Sequence, residues 1–181
     1  TVISGFRITK GNASGNLLDA MGGGILLENS SPKIIHCFVE ENSANFYGAG
    51  IYSQESSPSL SNCLFARNSA VYNGGGIYFS KGRQQDSYTT YPSLTNCVFS
   101  GNSAIRGGGL HADNSSPTFT NCIFLGNTSA YGGGGIYGNM SSPLITNCTF
   151  TGNSAENKGG AIYISVPNTA TLQNSILFNN T

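Results

Sequence analysis

The amino-acid sequence predicts an all-β fold. It reads as a single-stranded, right-handed parallel β-helix, or β-solenoid, with about 26 residues and three short strands per coil and about seven coils. Two observations predict this. The first is a repeat: variants of Ser-Ser-Pro-x-Leu-x-Asn-Cys-x-Phe-x-x-Asn-Ser-Ala followed by Gly-Gly-Gly-Ile-Tyr recur along the chain, most clearly in Ser56 to Tyr78, Ser115 to Tyr137 and Ser141 to Tyr163. The second is the period set by Cys37, Cys63, Cys97, Cys122 and Cys148, whose steps are 26, 34, 25 and 26 residues. Self-similarity at this period marks a stack of coils.

The elements follow in order within one coil. The first strand begins after the glycines, at Ile25, Ile51, Ile77, Leu110, Ile136 and Ile162. The second follows the proline, at Ile3, Ile34, Leu60, Leu94, Phe119, Ile145 and Leu172. The third holds the cysteines and, two residues on, Ile8, Val39, Phe65, Phe99, Phe124, Phe150 and Leu177. Short alternating apolar groups bounded by turn residues read as strands. Leu60 and Cys63 are an odd number of residues apart, so one straight strand cannot point both inward. A bend at Asn62, Asn96, Asn121, Asn147 and Asn174, with Gly5 in the first copy, removes the conflict, because Asn and Gly tolerate left-handed backbone. His36 is the one exception in that column. A second column, Asn42, Asn68, Asn102, Asn127, Asn153 and Asn180, lies at the next corner, where side-chain amides can bond along the stack. Seven copies at roughly 4.8 Å make a rod about 30 Å long.

Composition excludes several functions. Only 9% of the 181 residues are charged and the formal net charge is zero, so no basic patch follows a phosphate backbone and no nucleic acid is expected. No apolar run is long enough for a membrane-spanning helix. The strict register argues against disorder despite 25 glycines.

Catalytic and metal chemistry find little footing. Paired carboxylates must stand within about 5–10 Å for acid–base work. Glu28 and Asp113 share a column but lie three coils apart, roughly 14 Å at the coil spacing. Glu40 and Glu41 are adjacent, with Arg67 beside Glu41. No catalytic residue, cofactor or metal is expected: His36 and His111 fall in different columns, and the cysteine spacing is that of the coil, not Cys-x-x-Cys. The thiols are expected to be buried and free, since a coil step of ~4.8 Å is too long for a disulfide.

Two outward columns suggest a partner. Beside the inward Ile stand Tyr52, Tyr78, His111, Tyr137 and Tyr163, with Leu26 first, an aromatic stripe next to glycines that leaves the rings uncovered. It reads either as mutual stiffening or as a carbohydrate or partner platform. Between Cys and Phe stand Phe38, Leu64, Val98, Ile123 and Ile176, with Arg7 and Thr149 breaking the run. Both faces of that strand are apolar, as in a sheet covered on both sides, and a lateral interface is expected there.

The pairing of Phe-x-x-Asn (Phe65 to Asn68, Phe99 to Asn102, Phe124 to Asn127, Phe150 to Asn153) with Gly-Gly-Ala-Ile (Gly159 to Ile162) resembles the polymorphic outer-membrane protein repeat. The Ser-Ser-Pro and Asn-Cys elements resemble the wider set of secreted right-handed β-helix proteins. The resemblance covers nearly the whole chain and implies a parallel β-helix at a bacterial surface, with no catalytic residue to transfer. The expectation is one solenoid domain over residues 1–181, a segment of a longer protein or a filament subunit, with an inserted corner loop at residues 80–91 carrying Lys81, Arg83, Asp86, Tyr88 and Tyr91. Neither end carries a cap, which suggests an excised piece or head-to-tail stacking. The expected role is structural or adhesive, extracellular or at the cell surface, through self-association or packing on another part of the parent protein. The alternative is a carbohydrate-binding β-helix using the Tyr stripe, or the non-catalytic part of a polysaccharide-acting enzyme.

Overall fold

The structure, a computed structural model, describes residues 1–16, 20–82, 89–165 and 167–181. Its described strands are all parallel and fall into four sheets, one strand of each sheet per coil. Two sheets have seven strands and two have six, giving six full turns and a partial one. The proline-side sheet runs from Val2–Ser4 to Thr171–Gln173 and the phenylalanine sheet from Arg7–Thr9 to Ile176–Phe178. The isoleucine sheet runs from Ile25–Glu28 to Ile162–Ile164. The fourth, which the sequence reading missed, is a narrow serine–alanine sheet from Asn12–Ala13 to Ser154–Ala155. The coil therefore has four strands, not three.

Register is kept coil to coil, so like residues stack. Leu60 pairs with Leu94 and Leu94 with Phe119; Phe65, Phe99, Phe124 and Phe150 pair in turn. These phenylalanine rings stack at 4.9, 4.6 and 4.6 Å inside the core. Burial of such columns against Ile34, Ile51, Ile77 and the cysteines is the main driving force, and each full ring or branched side chain contributes roughly 1.5–3 kcal/mol.

The corner backbone has the expected geometry. Gly5, His36, Asn62, Asn96, Asn121, Asn147 and Asn174 all have φ between 48° and 74°. His36 shares it, at 52°, so it departs from the column in chemistry alone. The second Asn column is buried from Asn42 to Asn153, with Asn180 half-buried at its end. Each amide nitrogen from Asn42 to Asn153 donates to the next coil's Asn Oδ1 at 2.8–3.0 Å, and also to a carbonyl of the preceding coil. The same Oδ1 accepts the preceding Asn backbone N–H. Buried polar groups are thus satisfied by a continuous ladder.

The glycine triplet has a steric cause. A Cβ on Gly75 would sit 2.4 Å from the Ser103 carbonyl oxygen, and one on Gly76 would sit 2.4 Å from that of Gly109. The chain leaves the core through Ser-Ala, turns, and returns through the glycines so closely that only a small secondary core of Ala44, Ala49, Ala70 and Ala104 fits between.

Candidate functional site

The surface, more than any deep pocket, holds the candidate sites. On the phenylalanine sheet, side chains alternate in and out, which places Phe38, Leu64, Val98, Ile123 and Ile176 outward. Phe38, Ile123 and Ile176 are 47%, 41% and 61% exposed, while Leu64, Val98 and Thr149 are half-buried. Two residues further along each strand, Leu125 and Phe178 join the same face. They stand in a column otherwise occupied by Thr9, Glu40, Ala66, Ser100 and Thr151, so the repeat gave no signal for them.

The face is graded along the rod. Its first coils carry charge: Arg7 Nε lies 3.0 Å from Glu40 Oε1, and Arg67 Nη2 lies 2.9 Å from both Glu40 Oε2 and Glu41 Oε1. The Arg7 guanidinium also covers the Phe38 ring at 5.8 Å. Glu40 is buried beneath these cations, so its carboxylate is held by charge and not by solvent. The later coils carry Ile123, Leu125, Ile176 and Phe178, with the uncharged Thr149 and Thr151 on the coil between them.

The tyrosine column departs from expectation. It points outward, yet Tyr52, Tyr78, His111 and Tyr137 are only 5%, 7%, 4% and 8% exposed, and Tyr163 is half-buried. The ring centroids follow one another at 5.6, 5.1, 4.7 and 5.0 Å, Tyr52 and Tyr78 stacked in parallel and the other pairs tilted. Residues between the serine–alanine strand and the glycines fold over them: Tyr47 stacks on Tyr78 at 4.9 Å, Arg106 covers Tyr131 at 4.9 Å and Tyr137 at 6.0 Å, and Lys158 covers Tyr163 at 5.3 Å. The glycines therefore do not leave the rings open, and the column as placed offers no bare platform to a sugar.

Its polar atoms are mostly engaged. Tyr52 donates to Gln54 Oε1 at 2.6 Å and Tyr78 to Asp113 Oδ2 at 3.2 Å. Asp113 Oδ1 also accepts from Asn139 at 2.8 Å. Burial, then the Asp113 charge, pushes the Tyr78 hydroxyl up from its ordinary value. His111 is fully enclosed between Tyr78 and Tyr137; burial and then the nearby Arg106 charge lower it from 6.5 to about 3, so it is neutral at pH 7. Its Nδ1 has no hydrogen-bond partner.

A shallow groove of about 460 Å³ runs along the outside of the serine–alanine sheet. Val71, Ser103, Ile105, Thr128, Ala130 and Ser154 are among the residues that line it. On the corner between the proline-side and phenylalanine sheets, Asn96 donates to Asn62 at 3.2 Å and Asn121 to Asn96 at 3.3 Å, and Asn147 and Asn174 occupy the same left-handed position. In the inserted loop, Arg83, Asp86 and Tyr88 lie outside the described residues; Tyr91 is exposed and its backbone N–H donates to Ser57 Oγ. The five cysteines are free and buried. Among the described residues no three His, Cys, Asp or Glu side chains gather to hold a metal, and no helix is long and apolar enough to cross a membrane.

No curated protein and no solved structure matches the chain. Residues 23–181 do match the family described as right handed beta helix region. That span includes all four stacked parallel sheets and the Asn ladder. The chain belongs to the right-handed β-helix family.

Proposed function

We propose that this β-helix is a structural or adhesive element at the cell surface or outside the cell, working through lateral contact of its phenylalanine sheet, as its resemblance to the polymorphic outer-membrane protein repeat suggests. One observation carries the reading: an apolar face along one side of the rod that the coil itself does not require. The columns at Ile34, Cys63 and Phe65 already form the core, and a polar residue between Cys and Phe would serve the fold equally, as Thr149 does. An apolar outward column in a chain with so few charges is a contact surface.

Its area sets the strength. Seven strands at ~4.8 Å by three residues give a face of about 300 Å², well under the ~800 Å² per partner of a stable pair. Each contact is therefore weak, and arrays of rods gain by repetition. The carboxylates support a non-catalytic role, since Glu40 is ion-paired and Asp113 is hydrogen-bonded to Tyr78 and Asn139.

Sedimentation velocity up to millimolar concentration tests this. The parent chain is expected to self-associate as concentration rises, and Ile123→Glu with Leu125→Glu is expected to remain monomeric with unchanged circular dichroism. A parent chain that stays monomeric, or a variant that associates equally, would refute the reading.

A further inference from the structure

Seven Asn-x-Ser/Thr triplets occur in the chain. In so Asn-rich a sequence the triplet alone says little, but the fold separates them. Asn127 is 0% exposed, and its Nδ2 donates to Asn153 and Phe99 in the interior ladder. Asn139 Nδ2 donates to Asp113 at 2.8 Å, and Ser141 beyond it is buried with its hydroxyl bonded to backbone carbonyls. Asn114 Nδ2 also donates to Asp113. Ser31 and Ser116, which complete the triplets of Asn29 and Asn114, accept the N–H groups of Ser57 and Ser142 on their hydroxyls. Asn12 is tied to the next coil by accepting the Ser43 hydroxyl.

Asn147-Cys148-Thr149 differs because it breaks the repeat at two linked positions. Its Asn belongs to the exposed corner column, where Asn96 donates to Asn62 and Asn121 to Asn96. That ladder stops at Asn121: Asn147 is exposed, and among the described residues its amide has no hydrogen-bond partner. Two residues after the other corner Asn residues stand Leu64, Val98, Ile123 and Ile176; after Asn147 stands Thr149. Cys148 is buried in the core, so Asn147 and Thr149 face outward together. Thr149 is half-buried, and its hydroxyl likewise has no partner among the described residues. Asn179-Asn180-Thr181 is exposed too, but its column holds Lys10, Glu41, Arg67 and glycines, so it departs from no Asn repeat.

We propose that Asn147 is an N-glycosylation acceptor, and that Thr149 interrupts the apolar column to complete it. Such an acceptor needs a reachable amide nitrogen and a hydroxyl two residues on, presented on one surface. The reaction is a group transfer from a glycosyl diphosphate, carried on a nucleotide or a lipid and brought by a transferase. A bond forms between Asn147 Nδ2 and the sugar C1. The C1–O bond to the diphosphate breaks, the diphosphate leaves with the electron pair, and one amide proton passes to a base. Nothing is oxidised or reduced.

The fold has room for one such sugar. Corner residues repeat at ~4.8 Å, too close for a bulky glycan on every coil, so the spacing admits a single acceptor among neighbours. The Asn147 backbone N–H donates to Gln173 O at 3.0 Å, and attachment at the side-chain Nδ2 leaves that bond intact. The site lies at the rim of the apolar face, one residue before the strand that pairs with those of Ile123 and Ile176. A glycan there holds a second rod off that face. This consequence rests on the lateral-contact reading, whereas the attachment does not.

The test is peptide mass mapping of the chain purified from the cells that make it, before and after an amidase that releases N-glycans and leaves Asp behind. The peptide containing residue 147 is expected to carry a glycan and to emerge as Asp; an unmodified Asn147 throughout overturns the proposal. A second arm recovers the folded chain after co-expression with a soluble N-glycosyltransferase that uses UDP-glucose. Hexose is expected on Asn147 and not on the buried Asn127. Thr149→Val, which gives this coil the apolar residue of its neighbours and leaves Asn147 in place, is expected to abolish the transfer, and Thr149→Ser to retain it, with unchanged circular dichroism. No hexose on Asn147 of the folded parent, or hexose that survives Thr149→Val, overturns the proposal. Sedimentation velocity keeps the two readings apart: the hexosylated chain is expected to associate more weakly than the unmodified one, and equal association of the two removes the rim effect. An unmodified chain that never associates defeats lateral contact and leaves the acceptor standing.

Discussion

Replacing Asn102 by Ala breaks the interior ladder at its middle. The Asn102 side chain is 0% exposed and makes four hydrogen bonds: Nδ2 donates to Phe65 O and Asn127 Oδ1, both at 2.9 Å, while Oδ1 accepts the Asn68 N–H and Asn68 Nδ2, both at 3.0 Å. Alanine leaves the Asn68 backbone N–H and one Asn68 amide hydrogen buried without their acceptor, and water has no route to replace it. At roughly 1–3 kcal/mol for each of these two buried orphans, the loss is about 2–6 kcal/mol. Asn96→Gly provides the comparison. Asn96 lies on the exposed corner at φ 53°, which glycine adopts freely, and only its two corner contacts at 3.2 and 3.3 Å are lost. Its cost should stay within about 1 kcal/mol. Urea unfolding followed by far-ultraviolet circular dichroism measures both. Equal midpoint shifts for the two variants would refute the claim that the buried ladder, and not the corner, carries the load.

Other outcomes follow from single sites. The folded chain refuses a proton at His111 until about pH 3, whereas the unfolded chain takes one below about 6.5. Its contribution to stability is therefore full above pH 6.5 and falls as pH drops toward 3, by about 5 kcal/mol at the limit. His111→Tyr, which restores the residue of the neighbouring coils, should remove that slope when unfolding free energy is measured against pH. A slope shared by both proteins would reassign it to the carboxylates. Gly76→Ala should weaken the fold by several kcal/mol or prevent it, because the new Cβ meets the Gly109 carbonyl at 2.4 Å. Gly126→Ala has nothing within 4 Å and should cost only the ~1 kcal/mol of its left-handed backbone; the ranking of their thermal midpoints checks this.

The core was legible in the sequence because each coil repeats it: Leu60, Cys63 and Phe65 recur in phase, and Asn or Gly at one column announces a left-handed corner. The serine–alanine sheet was not legible. Two-residue strands such as Ser69–Ala70 are too short to show alternation, and alanine is too small to signal a core. The direction of the tyrosine column could be read from strand alternation, but its burial could not. That burial comes from Tyr47, Arg106, Tyr131 and Lys158, which occupy the least repetitive stretch of the coil. Arg7 reaches Glu40 diagonally, since its register partner is Phe38, and a column-by-column reading finds Arg67 alone.

Cross-linking tests the central claim, lateral contact through the phenylalanine sheet, most directly. Ile123→Cys places an exposed thiol in the middle of that face, and Thr118→Cys places one on the exposed outer face of the proline-side sheet; the five native thiols are buried and should not react. Under mild oxidation at high concentration, the account predicts disulfide-linked pairs from Ile123→Cys and few from Thr118→Cys. Equal yields from both positions, or none from Ile123→Cys, would contradict it.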